Sequence, residues 1–198
     1  HAFAIQYRLL ALQEKLDHLR TALMFEPRGH ADIYGAIITE PENKESDFGV
    51  LFLHNEGYST MCGHGIIALT KVTVQTGMIE AKEPITQIKI DTPAGLVTSY
   101  AKVKSGKVES VYFHNVPSFV LTMDQIVDIQ GIGRVKYDIA FGGAFYAFVN
   151  ADDLGIGMKG ENFRELIEKG MAISRLEFIR KLISIYFERT TNLCNKFI

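Results

Sequence analysis

The group in this sequence best suited to chemistry is a cysteine set among small residues. Cys62 is followed by Gly63, His64 and Gly65, and an apolar run begins at Ile66, so a helix is predicted from about residue 62 to residue 76. A cysteine at a helix N-terminus lies at the positive end of the helix dipole, which stabilises the thiolate and lowers its pKa. Because the two glycines carry no side chains, a carboxylate or phosphate could approach the backbone N–H groups beside the thiol. The segment therefore predicts a thiolate base next to an anion site.

Several other interpretations use the same residues, the simplest being a buried, inert cysteine in a glycine-rich turn. A Cys62–His64 nucleophile pair is disfavoured, because positions i and i+2 of a helix do not face each other. A metal site made of His54, Cys62 and His64 lacks a fourth ligand at a recognisable spacing. Residues 63–68 also fit the Gly-x-Gly-x-x-Ala pattern of dinucleotide sites, with Glu83 20 residues beyond the first glycine. However, eight residues separate that glycine from the preceding strand, where a tight turn is expected.

Composition narrows the class of protein without identifying it. The chain has 198 residues, 47% of them hydrophobic, and its 21 Lys and Arg against 23 Asp and Glu give a net charge of −2. This balance predicts no nucleic-acid partner, and no apolar run is long enough to predict a membrane partner. The two cysteines cannot form a disulfide framework. No signal peptide is apparent, so we expect a cytoplasmic protein of one domain or two small ones; the sequence opens on His1 rather than Met.

The elements that must position Cys62 follow from hydrophobic periodicity. An apolar stripe of helical spacing runs from Ile5 to Leu23, and Pro27 ends it. The helix at residues 62–76 has apolar residues all around it, which predicts burial on every side. A further helix is predicted over residues 161–186. Alternating runs predict strands at 33–39, 48–54, 87–92, 95–103, 108–114, 135–141 and 144–149, with loops at 40–47 and 55–61. Many strands and few helices, without strict alternation, predict an α+β fold.

The segment Met61-Cys62-Gly63-His64-Gly65 resembles the first catalytic motif of the proline racemase superfamily, which includes hydroxyproline epimerases and trans-3-hydroxy-L-proline dehydratases. Further stretches are similar to the same family in the same order, and the similarity extends over about residues 16–175. These stretches are residues 17–20 with 26–30, 32–36, 91–97 with 115–119, and 138–147. The overall character of residues 26–69 is more similar to the dehydratase branch.

The resemblance implies a diaminopimelate-epimerase-like fold, a mixed α/β architecture of two similar lobes that each wrap a sheet around a central helix. Residues 1–118 are expected to form the first lobe and residues 119–198 part of the second. Nothing before Asp17 resembles the first strand of the family, and no stretch matches its second catalytic motif. There racemases carry a second cysteine and dehydratases a threonine. The chain is therefore expected to be shortened at both ends, and Cys194 is expected to be a structural cysteine.

The resemblance also implies chemistry without a cofactor or a metal. Cys62 would be the thiolate that takes the Cα proton of a proline-type substrate, and the backbone N–H groups of Gly63 and His64 would hold its carboxylate. Tyr34 and Phe52 would be walls of the pocket, although both are equally compatible with ordinary core aromatics.

The reaction implied by the dehydratase branch is dehydration of trans-3-hydroxy-L-proline to Δ1-pyrroline-2-carboxylate. The alternative within the family is proline racemase or hydroxyproline epimerase activity, which uses two thiols. A third hypothesis is a catalytically silent binding module. An incomplete second lobe would leave apolar surface exposed, so we predict self-association, for example as a homodimer. A monomer in light scattering would contradict this.

Overall fold

The computed structural model describes residues 2–176, whose contacts divide the chain into two units. The first unit comprises residues 1–117 and 142–144, and the second comprises 118–141 and the chain from 145 onward. The helices are Ala2–Lys15 (α1), Asp17–Met24 (α2), Gly63–Gln75 (α3) and Phe163–Ser174 (α4). The strands are Tyr34–Thr39 (β1), Phe48–His54 (β2), Gly57–Ser59 (β3), Ile85–Thr92 (β4), Gly95–Lys104 (β5), Lys107–His114 (β6), Phe119–Ile129 (β7), Gly133–Phe141 (β8) and Phe145–Phe148 (β9).

The first unit is built on one curved sheet of order β1-β2-β4-β5-β6, with β3 paired to the end of β2. All pairs are antiparallel except β2 with β4, which run parallel at Phe48 and Gly49. Helix α3 contacts β5 and also β1 and β6, the two ends of this order, so the sheet curves around the helix. Six of the seven β2 residues are buried, as expected for a central strand. The helix that begins at Cys62 is therefore anchored against the core of the first unit.

A buried carboxylate holds the loop between β1 and β2. Asp91, on β4, is 7% exposed. Its Oδ2 accepts the backbone N–H groups of Glu42 and Asn43 at 2.8 and 2.9 Å, and its Oδ1 accepts the Ser46 hydroxyl at 2.7 Å. A buried carboxylate is tolerated when its oxygens are bonded in this way. The loop is thus tied to β4 through this side chain as well as through the backbone bond from the Asp47 N–H to the Lys89 carbonyl at 2.8 Å.

The second unit pairs β7, β8 and β9 in an antiparallel sheet and places α4 in the same core. Its buried core residues are Ile129, Val135, Tyr137, Ile139 and Ile173. Within residues 2–176, no helix is long and apolar enough to cross a membrane.

Tyr137 places a phenol inside that core, and its hydroxyl has no hydrogen-bond partner among the described residues. A buried polar group without a partner costs about 1–3 kcal/mol. We therefore expect Tyr137→Phe to leave the free energy of unfolding unchanged or to raise it by about 1 kcal/mol, measured by urea denaturation. A loss of stability of that size would show instead that the hydroxyl is bonded in the folded protein.

The first predicted helix is in fact two. The chain breaks at Leu16, where φ is −124° and ψ is 11°, and α2 begins at Asp17. The prediction of one continuous apolar stripe is wrong because the break turns the second half of it outward, leaving Leu16, Leu19 and Leu23 exposed. The break also places an acidic residue in the first turn of α2, where it complements the helix dipole.

Helix α3 spans almost the predicted range, but the prediction that it is buried on every side is wrong for the described structure. Ile67 and Val72 are 42% and 52% exposed, whereas Ile66, Thr70, Thr73 and Val74 are buried. The sheet covers one face of the helix, and the apolar residues of the opposite face remain accessible in the part of the chain that the structure describes.

Two strands were not expected from the sequence. Strand β3 lies within the predicted loop 55–61, and β7 was not predicted at all. Irregularities in its pairing between Val120 and Gln125, with Asp124 at a φ of 55°, interrupt the alternation that would have revealed β7. The predicted helix 161–186 is observed in part as α4, which begins at Phe163 and already ends at Ser174, so the helix is shorter than predicted. Residues from 177 onward, including Cys194, lie outside the described residues.

Candidate functional site

The site is built where β3 leads into α3. Cys62 is the residue just before the helix, in an extended conformation with φ −143° and ψ 105°, and it is 7% exposed. Its carbonyl accepts the Ile66 N–H at 3.0 Å, which closes the first turn. The N–H groups that open a helix have no acceptor within it, so those of Gly63 and His64 point away from the helix start. The thiol thus lies beside donors that could bind a carboxylate.

Gly65 allows the thiol and an aromatic ring to approach the helix backbone closely. A Cβ atom at this position would lie 3.2 Å from Cys62 Sγ and 2.9 Å from Phe52 Cε1. Phe52 is completely buried, so its ring supports the first turn of α3 from inside the core. Its assignment to the wall of a substrate pocket stays a prediction.

The thiol and the imidazole of His64 are neighbours. Cys62 Sγ lies 3.5 Å from His64 Nδ1 and 3.6 Å from Nε2, so neither ring nitrogen is favoured by position. The expectation that the two side chains do not face each other is wrong, because it treated both as helical. Cys62 precedes the helix, and its extended backbone turns its side chain toward the residue two positions on. The imidazole is close enough to exchange a proton with the thiol.

Burial raises the pKa of the Cys62 thiol, and the backbone N–H of Gly65 lowers it by a smaller amount. The expectation of a lowered pKa considered the helix N-terminus alone, whereas burial of the thiol acts in the opposite direction and has a larger effect than the Gly65 N–H. The resting thiol is therefore protonated at neutral pH, and a thiolate requires a group that takes the proton.

The direction of this shift predicts how Cys62 reacts with iodoacetamide. In a Cys194→Ser background, the rate of alkylation should rise with pH, and the midpoint of the main rise should lie above pH 8.5, which is about the pKa of a free cysteine thiol. The folded protein should also lose stability as pH rises through the interval between the unfolded and folded pKa values, because only the unfolded thiol ionises there. A midpoint below that of a free cysteine would contradict the dominance of burial.

Three aromatic rings form a row that leads to the thiol. The Tyr34 ring meets the His64 ring edge-on, with centroids 5.2 Å apart and planes at 76°. The His54 ring also contacts the Tyr34 ring, with centroids 5.3 Å apart and planes at 33°. Tyr34 and His54 are direct cross-strand partners on β1 and β2. Tyr34 is 48% exposed, so it combines contact with His64 and access to solvent.

The turn after β2 is held by Arg20, a role that sequence reasoning missed. The Arg20 guanidinium donates to the His54 carbonyl at 2.9 Å and to the Asn55 carbonyl, and it lies over the Tyr58 ring. It also forms a two-pronged ion pair with Asp17, at 2.6 and 2.9 Å, which lowers the pKa of that carboxyl. Asp17 and Arg20 stand three residues apart on α2, a spacing typical of a helical ion pair. This spacing does not indicate that Arg20 also binds backbone carbonyls at the end of β2.

A glycine-rich segment far along the chain closes on the residues before Cys62. The Thr60 hydroxyl donates to the Gly143 carbonyl at 2.5 Å, and the Asn115 side chain donates to the Gly142 carbonyl at 2.8 Å. Gly143 has a φ of 102°, and a Cβ atom there would lie 2.7 Å from Met61 Cβ. Only glycine suits both the backbone conformation and the space. This contact explains why residues 142–144 belong to the first unit.

Of the predicted site residues, the structure brings Cys62, Gly63, His64 and Tyr34 together at the start of α3. A Cβ atom on Gly63 would lie 3.3 Å from Phe113 Cζ, so β6 also reaches this point. Within residues 2–176, no three His, Cys, Asp or Glu side chains gather closely enough to hold a metal ion.

Comparison with known proteins gives a consistent picture. Residues 4–186 match the family model described as proline racemase. A trans-3-hydroxy-L-proline dehydratase from Colwellia psychrerythraea is 50% identical over 163 residues, which are 82% of this chain and 46% of that protein. A proline racemase from Clostridioides difficile is 42% identical over 162 residues, 82% of this chain and 48% of that protein. The chain spans about half the length of the curated relatives it matches.

Among solved structures, a hydroxyproline epimerase from Agrobacterium vitis with bound trans-4-hydroxy-L-proline superposes with a TM-score of 0.80 at 31% identity. The superposition covers 85% of this chain and 50% of that one. The predicted mixed α/β fold of this family is confirmed.

Proposed function

Since this chain belongs to the proline racemase family, we propose that it acts on a proline-type amino acid without a cofactor, as a trans-3-hydroxy-L-proline dehydratase with Cys62 as its base. The observation that carries the proposal is the position of the Cys62 thiol, beside the N-terminus of α3 and 3.5 Å from the His64 imidazole. The dehydratase from Colwellia psychrerythraea, at 50% identity, supports the choice of reaction.

The proposed chemistry begins with deprotonation of the thiol. His64 takes the proton, and the Cys62 thiolate then removes the proton from Cα of the substrate. The electron pair left on Cα forms the Cα–Cβ double bond as the bond from Cβ to the hydroxyl breaks, and the hydroxyl takes the proton held by His64 and leaves as water. The resulting enamine then takes up a proton on Cβ from water, loses the proton on its nitrogen to water, and becomes Δ1-pyrroline-2-carboxylate.

Substrate binding is assigned to the residues around the thiol. The N–H groups of Gly63 and His64 hold the carboxylate, where their fixed dipoles also stabilise the negative charge that develops at Cα. Tyr34 offers an exposed ring surface to the substrate. Residues 1–118 serve as the first lobe of the enzyme and residues 119–198 as part of the second.

The second candidate function is racemisation or epimerisation. The proline racemase from Clostridioides difficile and the hydroxyproline epimerase from Agrobacterium vitis favour it. Such a reaction needs a base on each face of Cα, and Cys62 provides only one. The third candidate is a catalytically silent module that binds a planar carboxylate but does not convert it to a product.

The test is to incubate this chain in deuterated water with trans-3-hydroxy-L-proline, L-proline and trans-4-hydroxy-L-proline. The dehydratase proposal expects Δ1-pyrroline-2-carboxylate from the first substrate only. Inverted products carrying deuterium at Cα from either of the others would establish the second candidate instead.

Binding measurements separate the remaining outcomes. Binding of pyrrole-2-carboxylate without turnover of any substrate would establish the silent module and overturn the enzyme proposal. Binding of NAD in calorimetry would support the dinucleotide interpretation of residues 63–68, which the proposal does not expect.

A further inference from the structure

The position of the His64 imidazole is the point on which the proposed proton transfer depends. His64 is exposed at the start of α3, and an exposed side chain ordinarily samples several rotamers. Its two nitrogens lie at nearly equal distances from Cys62 Sγ, so no single hydrogen bond fixes the ring beside the thiol. Contacts to the rest of the ring must therefore set its position.

The described contact that restrains this ring comes from another element. Tyr34 of β1 meets the imidazole edge-on at 5.2 Å, a geometry that is favourable for aromatic pairs. Tyr34 itself is braced by His54, whose backbone is bound by Arg20. A chain of contacts therefore links the Asp17–Arg20 ion pair to the end of β2. From there it passes through Tyr34 to the imidazole beside the thiol.

We propose that Tyr34 is a positioning residue that holds the His64 imidazole against the Cys62 thiol, so that the thiol can give up its proton at neutral pH. This inference rests on the proposed function and adds to it a residue that acts through His64. Burial keeps the thiol protonated in the resting protein, which is why the position of the acceptor matters.

Few other titratable groups take part in the described contacts around the imidazole. The thiol lies on the same side of the helix start, and the Tyr34 phenol lies on β1. His54 contacts the Tyr34 ring, and burial lowers the pKa of its imidazole. Arg20, with Asp17 and Tyr58, contacts the end of β2 rather than His64.

The experiment measures the rate of Cys62 alkylation by iodoacetamide from pH 6 to pH 10.5, in a Cys194→Ser background. The variants are Tyr34→Leu, Tyr34→Phe, His64→Asn and the double variant Tyr34→Leu/His64→Asn. At neutral pH, Tyr34→Leu and His64→Asn should each lower the rate about tenfold, the effect of raising the thiol pKa by one unit. Tyr34→Phe keeps the ring that contacts His64, so at neutral pH it should react faster than Tyr34→Leu.

Two features of the data distinguish positioning from a general structural effect. As the pH rises toward 10.5 the thiol ionises without help, so the deficits of the variants should shrink, whereas a disturbed fold would lower the rate by the same factor at every pH. The double variant should be no slower than His64→Asn alone, because Tyr34 acts through His64.

The inference is overturned if Tyr34→Leu reacts like the parent at neutral pH, if its deficit is undiminished at pH 10.5, or if the two single effects add in the double variant. It is also overturned if His64→Asn leaves the rate unchanged. Each of these results leaves the proposed function to be judged separately, by turnover of trans-3-hydroxy-L-proline in the parent protein and in Cys62→Ser.

Discussion

Replacing Cys62 by serine should lower kcat/KM for trans-3-hydroxy-L-proline by about 10²–10⁴-fold, the contribution typical of a positioned base. A serine hydroxyl has nearly the shape of the thiol but is a far weaker acid, so it is not converted to an anion by a neighbouring imidazole. The fold is expected to tolerate the change, because the Gly65 N–H and the His64 ring lie beside the buried sulfur and can serve as hydrogen-bond partners for the serine hydroxyl.

The matched control is the same substitution at the other cysteine, Cys194→Ser. It should leave turnover within about twofold of the parent, because the proposed mechanism assigns no step to Cys194. The Cys62→Ser protein should still bind pyrrole-2-carboxylate, because the backbone N–H groups assigned to the carboxylate remain. Retention of more than about a tenth of the parent activity in Cys62→Ser would exclude Cys62 as the base.

Replacing Asp91 by alanine should lower the free energy of unfolding by about 3 kcal/mol, the largest stability effect that we predict. The change removes the acceptor for two backbone N–H groups and the Ser46 hydroxyl, so all three donors lose this partner. Hydrogen bonds to a charged group are worth about 1.5–3 kcal/mol, and neighbouring bonds do not add fully.

Asp128→Ala provides the comparison, because Asp128 is an exposed aspartate on β7. It should change the stability by no more than about 0.5 kcal/mol. Asp91→Asn should fall between the two, since it keeps one acceptor oxygen. Urea denaturation followed by circular dichroism measures all three, and an Asp91→Ala protein as stable as the parent would show that the loop is held by other contacts.

Periodicity predicted the strands that carry the site, because they alternate clearly or form a continuous buried run. Strand β2 matches the predicted residues 48–54, and β1 and β5 differ from prediction by one residue at one end. The start of α3 was predicted from the glycines and the apolar run that follow Cys62. Strand β7 was missed because irregular pairing interrupts its alternation, and the break between α1 and α2 was missed because the apolar spacing continues through it.

Local residue order was enough to predict a cysteine at the start of a glycine-rich helix and a resemblance to one family. The surroundings of that cysteine, in contrast, depend on how distant parts of the chain pack. Whether a thiol loses more by burial than it gains from a helix terminus depends on the atoms packed around it, which local order does not specify.

The same reason applies to the partners of the thiol. The pairing of Cys62 with His64 depends on the extended backbone of a single residue, and the Tyr34 contact depends on the register of β1 with β2. Thr60 and Gly143 stand 83 residues apart and meet only in the folded chain. Cys62 could therefore be identified from the sequence, whereas its pKa and its neighbouring side chains follow from the packing of the folded chain.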